Sequence, residues 1–136
     1  MKVAVRYFTR GGNTKKLADA VAEVAGVQAQ DVSVPLSEDV DLLFLCSSVY
    51  AAGIDDAVKS FIENPGAKVA KIVNISTAAL LPSTYKQVKG IADERGISVD
   101  TREFHCRGQF LAMHKGRPND KDVADAKAFT RRVLQA

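Results

Sequence analysis

The chain has 136 residues, of which 46% are hydrophobic and 26% charged, values that exclude disordered and fibrous classes. Its 19 basic and 16 acidic residues leave a net charge of +3, and the basic residues are scattered, so we expect no nucleic-acid partner. No apolar run approaches the roughly 20 residues of a membrane-spanning helix, and no signal-peptide pattern opens the chain. We therefore expect a cytoplasmic protein without membrane contact.

Strand and helix patterns alternate along the whole sequence. In chain order they predict a strand at residues 2–8, a helix at 13–25, a strand at 27–34, a strand at 42–46, a helix at 54–62, a strand at 68–75, a helix at 83–95, a strand at 97–104 and a helix at 120–134. Residues 35–39 are too few for a helical crossover, so we expect a loop or a single helical turn there. The alternation predicts one α/β domain over residues 1–136, with a parallel sheet and helices on both faces.

The loop after the first strand carries the clearest functional signal. Its sequence TRGGNT, residues 9–14, opens the first predicted helix with two adjacent glycines and several polar side chains. A helix start presents unpaired N–H groups and a partial positive charge, and glycine lets a ligand approach the backbone closely. We expect a phosphate group there. The loop matches neither the P-loop of nucleotide hydrolases, because no lysine follows the glycines at the required place, nor the dinucleotide motif G-x-G-x-x-G.

Two stretches resemble the flavodoxin family. VRYFTRGGNTKKLADAVAE is similar to the flavodoxin phosphate loop and the helix after it, and LLFLCSSVYAAGIDDAVKSF to the second strand-end loop. The phosphate loop of that family reads Ser/Thr-x-Thr-Gly-x-Thr/Ser; Gly11 stands here where threonine is usual. The resemblance covers the whole chain and implies a flavodoxin-like, doubly wound, five-stranded parallel sheet of order 2-1-3-4-5.

The same resemblance implies FMN as cofactor, held by three loops. Around the phosphate it places Thr9, Arg10, Gly11, Gly12, Asn13 and Thr14. Beside the ribityl chain and the ring it places Ser47, Ser48, Val49 and Tyr50, with Tyr50 stacked on one ring face. Facing the N5 edge it places the backbone of Ala51, Ala52 and Gly53, and over the pyrimidine edge Ser76, Thr77, Ala78 and Ala79.

The implied function is low-potential electron transfer between redox partner proteins, with no catalytic residue and no metal. The three loops contain no histidine, aspartate or glutamate before Asp55, which favours a carrier over a hydrolytic or acid–base enzyme. Two alternatives stay open: a small NAD(P)H-dependent flavin or quinone reductase, and a flavodoxin-shaped binding module that has lost FMN. The positive net charge differs from the acidic surface usual in the family, and both the redox partners and the oligomeric state, monomer or dimer, stay open.

Three residues outside the phosphate loop carry further expectations. For Arg6, inside an otherwise apolar strand, we expect an acidic partner at the sheet rim, with a role at the site as the alternative. Cys46 is predicted to be a small core residue. Cys106 lies in a predicted loop near the crevice, and we expect a packed residue, with a redox or substrate role as the alternative.

Overall fold

The structure, a computed structural model, describes residues 1–9, 12–49, 53–78, 83–108 and 116–135. Within these ranges the strands are β1 (Val3–Phe8), β2 (Ala29–Asp31), β3 (Val40–Val49), β4 (Val69–Ala78), β5 (Ser98–Val99) and β6 (Phe104–Cys106). The helices of the same ranges are α1 (Asn13–Ala25), α2 (Asp56–Glu63), α3 (Tyr85–Glu94) and α4 (Asp120–Gln135). Among the described residues, no helix is long and apolar enough to cross a membrane.

All the strands run parallel, and their order confirms the predicted topology. The sheet reads β2-β1-β3-β4-β5, with β6 paired to β4 further along the same edge. Because β5 and β6 together occupy the fifth position, the sheet has the five-stranded order 2-1-3-4-5. The carboxyl ends of the central strands β1 and β3 therefore lie side by side, where such folds place their ligands.

A separate hydrophobic layer covers each face of the sheet. On one face Val5, Phe44 and Ile75 pack against α1 and α4. On the other face Leu45 and Ile72 pack against α2 and α3. This is the predicted arrangement, in which nearly continuous apolar strands are covered on both sides.

Strands β3 and β4 extend further than the sequence pattern predicts. The predicted strands end at residues 46 and 75, but pairing continues through Ser47 with Ser76, Ser48 with Thr77, and Val49 with Ala78. Residues 76–78, which the sequence pattern places in the loop after this strand, therefore belong to β4. Hydroxyl side chains made these positions look like a loop, whereas the parallel ladder satisfies their backbone groups and lets the small side chains be buried.

The two outer strands are shorter than predicted. The strand expected at residues 27–34 contracts to Ala29–Asp31, and residues 32–39 form turns without a helix, as the short connection requires. The last strand is interrupted because the Asp100 carboxylate accepts hydrogen bonds from Arg102 N at 2.9 Å and from its Nη2 at 2.8 Å. These hydrogen bonds hold a turn between β5 and β6 and lower the pKa of Asp100.

The expectation of an acidic partner for Arg6 was wrong. This arginine is 6% exposed, and its guanidinium donates to backbone carbonyls, through Nε to Val34 O at 2.9 Å and through Nη2 to Pro35 O at 3.3 Å. Burial lowers the pKa of Arg6. Its described contacts therefore hold the β2–β3 connection against β1.

Candidate functional site

The start of α1 lies directly after the central strand β1. Its N-cap residue Gly12 has a φ of 83°, no side chain to cap the helix, and no acidic residue in the following turn. Apart from Gly12 itself and its two chain neighbours, no atom of the described residues lies within 4 Å of the position that a Cβ on Gly12 would occupy. Thr9 Oγ1 accepts the Gly12 N–H at 2.9 Å, which ties the residue after β1 to the N-cap of α1. The result is an open helix start whose partial positive charge is not offset by its own residues.

The second residue of this helix connects it to β4. The hydroxyls of Thr14 and Thr77 lie 2.8 Å apart and are buried, at 1% and 3% exposure. Gly108, which follows β6, packs against Thr77: a Cβ there would lie 3.0 Å from Thr77 Cβ. The two threonines thus bring the predicted first and third loops together. Because the Thr14 hydroxyl is buried against Thr77, the backbone N–H of Thr14 is the donor that this residue presents at the helix start.

A row of polar side chains crosses the sheet below the third loop. Ser47 pairs in register with Ser76, and Ser76 with His105. Both serines are fully buried, and Ser76 Oγ lies 3.1 Å from His105 Nδ1. Ser47 Oγ has no hydrogen-bond partner among the described residues. This buried hydroxyl at a carboxyl-terminal strand end is a polar atom that the described protein groups leave unsatisfied.

Another polar cluster supports the beginning of α3. Asn74 Nδ2 donates to Thr84 Oγ1 at 3.0 Å and to Glu103 Oε2 at 3.3 Å. Ser83 Oγ donates to Glu103 Oε1 at 2.7 Å and accepts the N–H of Tyr85 at 3.0 Å. These hydrogen bonds hold Ser83 and Thr84, the residues between the third loop and α3. The C-terminal end of the third loop is therefore anchored to β4 and to the segment before β6.

The second loop ends at a residue with positive φ. Gly53 is buried with a φ of 96°, and the next amide, Ile54 N, donates to Gln87 Oε1 of α3 at 3.2 Å. This is the left-handed region that favours glycine. The end of the second loop is thus attached to the helix that follows the third loop.

The structure brings the predicted loops to one edge of the sheet. Among the predicted site residues it describes Thr9, Gly12, Asn13, Thr14, Ser47, Ser48, Val49, Gly53, Ser76, Thr77 and Ala78. The others, Arg10, Gly11, Tyr50, Ala51, Ala52 and Ala79, lie outside the described residues. The FMN contacts assigned to both groups stay predictions.

Four residues of this edge were misplaced or given no role by the sequence patterns. His105 and Cys106 were placed in a loop but lie in β6, and Gln87 and Gly108 had no assigned role. The sequence around His105 does indicate a strand. Phe104 and Cys106 face the same core layer, so strand alternation turns the side chain of His105 to the opposite face. The partner of Gln87 lies 33 residues away, so no local pattern indicated it.

Both cysteines are structural in this fold. Cys46 is fully buried and Cys106 is 8% exposed, within the same core layer. Burial raises the pKa of the Cys46 thiol, and burial together with Asp122 raises the pKa of Cys106 to about 12. Because the thiolate is the reactive form, these shifts favour packed residues over a redox role. Among the described residues no group of three or more His, Cys, Asp or Glu side chains is arranged to hold a metal ion.

Comparison with known proteins agrees with this geometry. The family model "Flavodoxin domain" matches residues 4–105. An uncharacterized protein of Methanocaldococcus jannaschii is 24% identical over 99% of both chains. A flavodoxin from the domain Archaea superposes with a TM-score of 0.76, at 17% identity, over 99% of this chain and 97% of that one. Flavodoxin 2 from Bacillus cereus gives 0.73, at 14% identity, over 99% of both.

Proposed function

Because the chain belongs to the flavodoxin domain family, we propose that it binds FMN and carries electrons between redox partner proteins. Membership of this family supports a flavin-binding redox protein. The observation that carries the FMN proposal is the start of α1, where Gly12 opens the helix without a side-chain cap and without an acid in the first turn. A dianionic phosphate complements such a site.

The residues at the helix start fit a phosphate group. Backbone N–H groups of Asn13 and Thr14 belong to the first turn, where an α-helix has no internal acceptors for them. The side-chain amide of Asn13 adds a further donor, and the space beside Gly12 lets an anion approach the backbone. Each hydrogen bond to a charged group contributes about 1.5–3 kcal/mol, so a few of them hold a phosphate without a lysine.

The remaining predicted contacts fit the less polar part of the cofactor. Ser47, two residues before the end of β3, has a buried hydroxyl without a hydrogen-bond partner among the described residues. We expect Tyr50, the aromatic residue of that loop, to stack on the ring. Bound FMN supplies the one-electron chemistry, and the protein binds it, limits its contact with water and sets its potentials through these surroundings.

The described titratable groups near this edge favour a carrier over an acid–base enzyme. Asp55 is occupied as the N-cap of α2, accepting the Ala57 N–H at 2.9 Å. His105 in β6 contacts Ser76 in β4 through Nδ1. Neither contact positions an acid or a base toward a substrate, as general acid–base catalysis would need.

A visible absorption spectrum of the purified chain after reconstitution with FMN tests the proposal. We expect flavin bands that remain with the protein through gel filtration, and loss of those bands in Gly12→Val. A wild-type chain that retains no flavin would contradict the FMN proposal. Rapid mixing of the reconstituted protein with NADPH then separates the two redox functions: a carrier is reduced slowly without a partner reductase, whereas rapid direct reduction would establish the reductase alternative.

A further inference from the structure

We propose that Gln87 is a positioning residue for the flavin-facing second loop, an inference that rests on the FMN proposal. Gln87 belongs to α3, which follows the third loop, while its side chain reaches the C-terminal end of the second loop. The end of the second loop is thereby attached to the helix that follows the third loop.

The contact has two parts. Gln87 Oε1 accepts the Ile54 N–H at 3.2 Å. The rest of the same amide lies over Gly53, where a Cβ would be 2.6 Å from Oε1 and 2.8 Å from Cδ of Gln87. The side chain therefore occupies the space that a larger residue at position 53 would need.

This contact restricts how the loop backbone can turn. A peptide unit is planar and trans, so its N–H and C=O point in opposite directions. With the Ile54 N–H directed at Gln87, the Gly53 carbonyl is directed away from α3 and cannot turn without breaking the hydrogen bond. Any peptide rotation that adapts the loop to the flavin must then take place N-terminal to the peptide that joins residues 53 and 54.

Gly53 is required for two independent reasons. Its φ of 96° disfavours every residue with a Cβ, and a Cβ would also displace the Gln87 amide. Because Gln87 is a flexible, exposed side chain, Gly53→Ala would move it rather than the helix. The substitution is expected to strain the backbone and remove the hydrogen bond to Ile54 together.

Hydrogen exchange of the Ile54 amide in the flavin-free chain tests the contact directly. We expect Gln87→Leu to speed this exchange by about two- to tenfold, the range that corresponds to one modest hydrogen bond. Gln87→Glu keeps an acceptor oxygen and should restore the protection. Gln28→Leu makes the same chemical change at an exposed glutamine elsewhere and should leave Ile54 unaffected. Unchanged exchange in Gln87→Leu would overturn the proposal.

FMN titration and potentiometry test the positioning role. Gln87→Leu should weaken FMN binding by about two- to tenfold and change the gap between the two one-electron reduction potentials, while Gln28→Leu should alter neither. If Gln87→Leu loses the Ile54 protection but keeps wild-type affinity and potentials, Gln87 does not position the loop toward the flavin, and the proposal is wrong. Absence of FMN binding by the wild type would instead overturn the proposed function, and the role of Gln87 with it.

Discussion

Helices α1 and α2 both begin after central strands at the carboxyl-terminal edge of the sheet, but their first N–H groups are satisfied differently. At α1 the N-cap is Gly12, with positive φ and no acidic residue in the first turn. At α2 the N-cap is Asp55, whose Oδ1 accepts the Ala57 N–H at 2.9 Å, and Asp56 follows in the first turn. The second helix carries its own counter-charge, and the first does not.

Helix α4 follows the pattern of α2 more fully. Asn119 Oδ1 accepts the Asp122 N–H at 3.0 Å, and Asp122 Oδ2 accepts the Asn119 N–H at 2.8 Å. Arg117 adds two hydrogen bonds to the same carboxylate, at 2.6 and 2.9 Å. This reciprocal arrangement satisfies two first-turn donors within the protein.

The difference separates helix starts that are capped by carboxylates from one that has no side-chain cap among its own residues, which is the one we propose for the phosphate. Carboxylates at α2 and α4 offset the partial positive charge of those helix starts, and a further anion there would meet repulsion. At α1 the charge remains available beside Gly12, and the described side chains leave room for an anion. Changes at α1 should therefore alter FMN binding, whereas changes at α2 and α4 should chiefly alter folding stability.

The largest expected effect is that of Gly12→Val. A β-branched residue is strained at a φ of 83°, and its side chain would fill the space assigned to the phosphate. FMN binding should weaken by about 2–4 kcal/mol, since the side chain would remove at least one charge-assisted hydrogen bond to the phosphate, each of which contributes about 1.5–3 kcal/mol. Calorimetric titration measures this. Wild-type affinity in the variant would place the phosphate elsewhere.

A smaller effect, on stability, is expected for Asp122→Asn. Burial acts to raise the pKa of Asp122, but the hydrogen bonds from Arg117 and Asn119 outweigh it, so the pKa is lowered from 3.8. Because the unfolded carboxyl has the higher pKa, its stabilisation is present at neutral pH and is lost as pH falls below about 4 toward the folded pKa. The variant should lose about 1–2 kcal/mol of unfolding free energy at pH 7.

Urea unfolding at several pH values measures that difference. The gap between the wild type and Asp122→Asn should shrink as the pH is lowered from 7 through about 4 and further toward the folded pKa, because the Asp122 carboxyl of the unfolded chain takes up a proton first and wild-type stability then falls. A difference that stays constant across this range would show that the charge of Asp122 is not what stabilises the start of α4.

The smallest effect is expected for Asp55→Ala. Removing the side-chain cap of α2 should cost about 1 kcal/mol of unfolding free energy. FMN affinity should change far less than in Gly12→Val, because Asp55 bonds its own helix and is not among the predicted flavin contacts. Thermal unfolding combined with FMN titration separates the two quantities. A larger loss of affinity than of stability would assign Asp55 to the site.

Much of this architecture follows from sequence. The bounds of α1 agree with the helical spacing between Asn13 and Gly26, because both ends carry glycine signals that act locally. Strand order was implied by resemblance and is confirmed by the pairing. The ends of β3 and β4 were set too early because serine and threonine are ambiguous between loop and strand, and only pairing with a neighbouring strand resolves them.

Long-range side-chain contacts account for the remaining differences. Arg6 was expected to face an acid, but carbonyls of the chain 28 and 29 residues away accept its hydrogen bonds. The contact of Gln87 joins α3 to Ile54, which lies just before α2, and the whole of β4 separates the two residues in the chain. Such contacts depend on how the layers pack, which no pattern within one element contains.

Paired titrations of the flavin-free chain with FMN and with riboflavin test most directly whether the open start of α1 binds phosphate. The two ligands share the isoalloxazine ring and the ribityl chain and differ only in the phosphate. We predict that FMN binds about 100-fold more tightly, or better still, because two or more charge-assisted hydrogen bonds form at the helix start. Equal affinities for the two ligands would contradict the assignment of the phosphate to residues 9–14.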